Sequence, residues 1–134
     1  MIAVLLSWAV KLTGDPYPAT QPEIRYEPQE FFEQHACPEA KNCRAIAWYD
    51  NAGTVHLHQQ LTDFEDPMVR GVIVHELVHY LQDINQRYPQ PSCEDRAARE
   101  REAYAWQRAY LNRIAGRFAA TWPVYDPCPL QEPG

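Results

Sequence analysis

The chain has no cluster of basic residues, no apolar run long enough to cross a bilayer, no C-x-x-C pair, and no internal repeat or low-complexity tract. Each absence removes a class of function. Twelve Lys and Arg are scattered through 134 residues of formal net charge −6, whereas nucleic-acid binding needs clustered positive charge to neutralise phosphates. No nucleic-acid partner is expected. The apolar opening "MIAVLLSWAV" lacks the basic n-region and small-x-small cleavage site of a signal peptide, and it is about half the ~20 residues that a membrane span requires. No membrane span is expected either. Without C-x-x-C spacing there is neither a zinc ribbon nor a thioredoxin-type redox pair. No interdomain linker interrupts the chain, and its length allows roughly two thirds of the unfolded surface to be buried. Residues 1–134 are therefore expected to form one small domain.

Within it, Ile2, Leu5, Leu6, Ala9 and Leu12 recur at helical spacing and "TGDP" supplies a stop, so the opening reads as a core-packing helix. "EIRYE" is a short extended stretch, and "PQEFFEQHA" a brief helix beginning at Pro28. The segment "RAIAWYDNAGTVHLHQ" predicts a hairpin, with strands over 44–49 and 54–58 joined by a turn containing Asn51 and Gly53. Asp66 as N-cap and Pro67 in the first turn open a helix expected over 67–86. Ser92, with Asp95 three residues on, starts a second long helix expected over 94–116. Strand and helix periods occur in separate blocks, which predicts an α+β fold with a small antiparallel-containing sheet packed on these two helices.

Four cysteines stand at 37, 43, 93 and 128. Of the three ways to pair them, Cys37 with Cys43 closes the loop "CPEAKNC", and Cys93 with Cys128 ties the Pro-rich tail to a helix start. Disulfides form in oxidising compartments, so these pairings imply a periplasmic or secreted protein. Reduced, packed cysteines are the alternative.

The chemistry concentrates in "VIVHELVHYLQ", residues 72–82. On a helix, residues i and i+4 share a face, so His75 and His79 can present two imidazoles to one ion. Glu76 points about 100° away around the axis, which places it beside the ion as a general base for water. One zinc ion suits the pair, since zinc takes neutral imidazole nitrogens and lowers the pKa of a bound water towards ~7. Two histidines of the core hydrogen-bonded to neighbours are the bland reading, but burying two His and a Glu together is costly unless they are paired or metal-bound. A third ligand is expected from the second long helix, which carries Glu94, Asp95, Glu100 and Glu102. Ala98, Ala105 and Ala109 share a face with Glu102 and would permit close helix approach. Glu100 lies near the stripe of Ala103, Tyr110, Ile114 and Phe118, where bulk would hold the helices apart. Glu102 is the expected ligand.

"HELVH" followed by a downstream helix reading "EAYAWQ" resembles the gluzincins, zinc peptidases with two His from H-E-x-x-H and a Glu from a second helix. "CRAIAWYDNAGTVHL", "VIVHELVHYLQ" and "REAYAWQ" together are similar to a group of short bacterial metallopeptidase-like domains, over most of the chain. The resemblance implies a minimal zincin-like domain, zinc on His75, His79 and Glu102, Glu76 as base, and a peptide or protein substrate. It lacks the substantial second lobe of the larger gluzincins. Tyr104, His56 and His58 are the candidates for stabilising an oxyanion. The two His of "TVHLHQ" share one strand face, and an edge strand beside the metal helix could pair with an extended peptide. The expected function is zinc-dependent peptide hydrolysis. Two rivals are a metal-stabilised binding or regulatory module with its coordination filled, and a disulfide-stapled interaction domain with a chance motif.

Overall fold

A computed structural model of the chain describes residues 1–36, 45–115 and 128. Among these residues the elements run α1 (Ile2–Thr13), β1 (Glu23–Glu27), α2 (Gln29–His35), β2 (Ala47–Tyr49), β3 (Thr54–His58), α3 (Pro67–Ile84) and α4 (Cys93–Ala115). The fold is α+β, as the separate strand and helix periods require.

The helix boundaries follow from local chemistry. Gly14 ends α1 in the left-handed region at φ 77°, its N–H bonding the Val10 carbonyl. The Asp66 carboxylate accepts from the Met68 N–H at 2.9 Å and caps α3. The Ser92 hydroxyl accepts from the Asp95 N–H at 3.1 Å and opens α4. The helix expected over 67–86 stops at Ile84, because Gln86 and Tyr88 adopt positive φ and turn the chain back. A disulfide joins Cys93 to Cys128; Cys37 and Cys43 lie outside the described residues.

The hairpin forms with Trp48 opposite His56, and Asn51 and Gly53 take the positive φ that its turn needs. The first strand begins only at Ala47, later than the expected residue 44. β1 then adds in parallel on the far side of β3, giving the order β1-β3-β2. β3 is therefore the central strand, and the expectation of a free edge at 54–58 is corrected: among the described residues the edges are β1 and β2. Side chains alternate across β3. Val55 and Leu57 enter the main core with Ile73, Val74 and Leu77 of α3. His56 and His58 project from the other face and stack on Phe31 and Phe32 of α2.

α3 lies between the sheet and the α1/α4 layer, and is buried almost all round. α4 returns antiparallel to it. They pack tightly at Gly71, where an added Cβ would stand 3.2 Å from the Leu111 side chain. Trp8 of α1 meets Tyr110 of α4 edge to face at 5.6 Å, closing the layer.

The far side of the sheet holds a charge cluster. His56 reaches Glu27 through Nδ1 at 3.2 Å and Asp50 through Nε2 at 3.0 Å, tying β1, β3 and the hairpin turn together. Burial pushes the Asp50 carboxyl up, but the hydrogen bonds from His56 and from the Ala52 and Thr54 N–H groups outweigh it and hold it below its ordinary value. A carboxyl depressed in the folded state adds stability above its unfolded pKa and loses it as pH falls through the folded one. Asp50→Asn is therefore expected to lower unfolding free energy by about 1–3 kcal/mol at pH 7, a difference that shrinks below about pH 4. Urea titrations of both proteins at pH 7 and pH 3 test this, and an equal difference at the two pH values would refute it.

Candidate metal centre

The four-residue spacing on α3 sets the His75 and His79 rings edge to face with centroids 4.8 Å apart and their Nε2 atoms 3.2 Å from each other. Both other ring nitrogens are engaged by amide oxygens. His75 Nδ1 donates to Gln107 Oε1 of α4 at 3.0 Å, and His79 Nδ1 to Gln82 Oε1 at 2.8 Å. The orientation of Gln82 is fixed because its Nε2 donates to the Arg99 carbonyl at 3.1 Å and to Glu102 Oε1 at 2.8 Å. An amide oxygen can only accept, so each Nδ1 carries a proton and each Nε2 faces the centre, protonated where it donates to Glu100 and free to offer a lone pair where it would bind an ion. Two imidazole ligands about 2.05 Å from a tetrahedral ion would be separated by roughly 3.3 Å. The observed spacing fits such an ion.

Glu100 completes the cluster. Its Oε1 lies 2.6 Å from His79 Nε2 and its Oε2 3.6 Å from His75 Nε2. One donor atom from each of His75, His79 and Glu100 falls within 4.8 Å of the others. Burial pushes the Glu100 carboxyl up, yet hydrogen bonds from both histidines and their charge hold it well below the usual carboxylate range. Burial lowers His79, but the Glu100 hydrogen bond, the charges of Glu76 and Glu100, and the Gln82 contact raise it above its ordinary value. A cation at the centre would replace the Nε2 protons on which these hydrogen bonds depend.

These groups floor a cleft of about 580 Å³, with Glu76 beside the pair and residues 45–49, including β2, along one wall. Arg96, Arg99 and Tyr104 of α4 line the facing side. Tyr104 stands edge-on to His75 at 4.4 Å. Burial first, then the charges of Glu100 and Glu76, raise its hydroxyl pKa and keep it a donor. Of the other expected oxyanion donors, His56 and His58 are not in the cleft; they face α2 across the sheet.

A family model described as a domain of unknown function (DUF6647) matches residues 1–125. The chain belongs to the DUF6647 family. A search of curated proteins and one of solved structures found no match.

In this DUF6647 chain, Glu102 does not reach the histidine pair. Its Oε1 accepts from Arg87 Nη2 at 2.9 Å and from Gln82, and its Oε2 accepts from the Trp106 indole at 3.2 Å. The expectation that Glu102 is the ligand is corrected, because its face of α4 is not the one turned to the histidines: Ala105 is exposed, and the α4 residues buried against the core are Ala97, Ala103, Gln107, Tyr110 and Leu111. A strip of alanines suits solvent as readily as close packing. Glu100, Ala103, Tyr104 and Gln107 share one side of α4, and a buried amide at i+7 from an acid was the overlooked signal. Gln82, three residues after His79 on its own face, was a second.

Glu102 is thereby the hub of a chain Asp15–Arg87–Glu102–Gln82–His79, the first link being a close ion pair. Glu102→Ala is expected to destabilise the fold by about 1–3 kcal/mol through lost charged hydrogen bonds. Calorimetry of the metal-stripped protein would show a lower Tm. A Tm within one degree or so of wild type would mean that the hub holds nothing together.

Proposed function

We propose that this protein is a zinc-dependent peptidase whose ion is held by His75, His79 and Glu100, with Glu76 as general base. The convergence of three donor atoms on one point of a cleft carries the reading. Its support is the donor set: two imidazole nitrogens and one carboxylate suit zinc, and three protein ligands leave a position for water. The bound ion would supply Lewis acidity, polarising a carbonyl and bringing water towards ionisation near neutral pH.

The chain's own residues supply the rest. Gln107 and Gln82 fix ring orientation and tautomer, as partners of metal-bound histidines do, typically affecting affinity by 10–100-fold. Glu76 takes a proton from the attacking water and returns it to the leaving nitrogen. The Tyr104 hydroxyl, a donor lining the cleft, would donate to the oxyanion that develops on the substrate carbonyl. Pairing with β3 alternates along β2, so the main-chain groups of Ala47 and Tyr49 turn to the edge that no strand among the described residues pairs. That edge can take an extended peptide as an added strand. The disulfide at Cys93 fits a periplasmic or secreted setting.

Elemental analysis of protein purified without added metal should find close to one zinc per chain. Glu100→Ala should strip it, whereas Glu102→Ala should retain most of it. Glu76→Gln should stay loaded while hydrolysis of a responsive peptide falls roughly 10²-fold or more. Metal-free wild-type protein, or full turnover in Glu76→Gln, would sink the reading.

A further inference from the structure

The charges around the cleft do not match those of the chain. Eighteen Asp and Glu outnumber twelve Lys and Arg, yet the cleft is lined by two acids, Glu76 and Glu100, and two arginines, Arg96 and Arg99. On the peptidase reading both acids are committed at the metal. Neither arginine is in an ion pair among the described residues. Each is instead anchored by a carbonyl of the α3–α4 turn, Arg96 Nη1 by Pro91 and Arg99 Nη1 by Tyr88. A carbonyl orients a guanidinium without neutralising it, and leaves further N–H donors for a planar carboxylate. The turn is shaped for this: Tyr88 sits at φ 52° in the left-handed region, uncommon for an aromatic residue. Two anchored positive charges without an acidic partner among the described residues, in the cleft of an acidic protein, focus attraction on anionic ligands.

Their position sets a distance. Arg96 is one turn before Glu100 on the same face of α4, about 6 Å along the axis. An extended peptide rises about 3.3 Å per residue, so that step spans roughly two residues. We propose that the cleft selects peptides carrying a carboxylate two or three residues from the bond at the metal, and that Arg96 and Arg99 receive it. This rests on the peptidase reading of the same cleft. The carboxylate comes from an acidic side chain or from the peptide's own C terminus; the chemistry recognised is the same.

Zinc-loaded Glu76→Gln protein allows binding to be read without turnover. The probes are acetylated Ala/Leu hexapeptides with Glu or Gln at two positions, each with a free or an amidated C terminus, titrated calorimetrically. The form without any carboxylate should bind at least about tenfold more weakly than the best carboxylate form. Preference for Glu in the amidated pair assigns a side chain, and preference for the free terminus in the Gln pair assigns the chain end. Adding Arg96→Gln and Arg99→Gln should bring all four forms within about twofold while zinc content stays the same. In the arginine-containing protein, raising salt from 0.05 to 0.5 M should weaken only the carboxylate forms, which tests the idea even if the double variant folds poorly. Equal affinities for all four peptides, no binding of any, or a preference that survives loss of both arginines would overturn the proposal. Wild-type hydrolysis is measured separately: its absence with the preference intact removes the peptidase reading alone, and its presence without a preference removes only the carboxylate site.

Discussion

Two imidazole Nε2 atoms 3.2 Å apart, both turned toward one point beside Glu100, are the constraint on which the rest of the molecule is organised. His75 is buried in a helix otherwise packed on nearly every side by apolar residues. Such a pair can persist only if other groups hold both rings by their far nitrogens, and one of those groups has to come from another element. Gln107 is that group, so α4 must run antiparallel to α3 at a fixed register and close distance. The same register sets Gly71 against Leu111 at one end and Glu100 against His79 at the other. Core packing and site geometry are one requirement here, not two.

Stability and site geometry share residues as well. Arg87, in the turn after α3, binds Asp15 beyond the end of α1 and Glu102 on α4. Glu102 in turn fixes the Gln82 amide that orients His79. The first helix, remote from the cleft in sequence, is thus connected to a histidine tautomer through charged hydrogen bonds. On the opposite side of α3 the Tyr49 hydroxyl performs a similar service, donating to Asp83 at 2.5 Å and accepting from the Gly53 N–H at 3.1 Å. It pins the β2 wall of the cleft to the helix that bears the histidines.

Much of this was legible in the sequence because it rests on local chemistry. Asp66 and Pro67, Ser92 and Asp95, and Gly14 all mark helix ends through short-range sterics and hydrogen bonds, and the structure places the ends there or within a few residues. The i, i+4 histidines share a face whatever the helix packs against. What sequence could not resolve was non-local. Nothing in "EIRYE" says that it pairs in parallel with β3, which turned a supposed edge into the central strand. The choice between Glu100 and Glu102 depended on the rotation of α4 about its axis. Alanines at 98, 105 and 109 suggested one rotation. Ala97, Ala103 and Gln107, read with the apolar Tyr110 and Leu111, point to the observed one. Small residues identify a face on which close packing is allowed, whereas a polar residue within an apolar stripe identifies a face on which a polar partner is needed. The second kind of signal is the more informative, because an unpaired buried amide is costly.

The division of labour between the walls of the cleft has a consequence for recognition. On the peptidase reading, β2 meets a substrate through main-chain groups, and every extended peptide offers the same ones. A strand of three residues fixes direction and register but cannot discriminate between sequences. Discrimination then falls to side chains on the facing wall, which belongs to α4. That helix already gives Glu100 and Gln107 to the centre, and its remaining charged groups in the cleft are Arg96 and Arg99. On that reading, selectivity among the described residues rests with the side chains that flank Glu100 on α4.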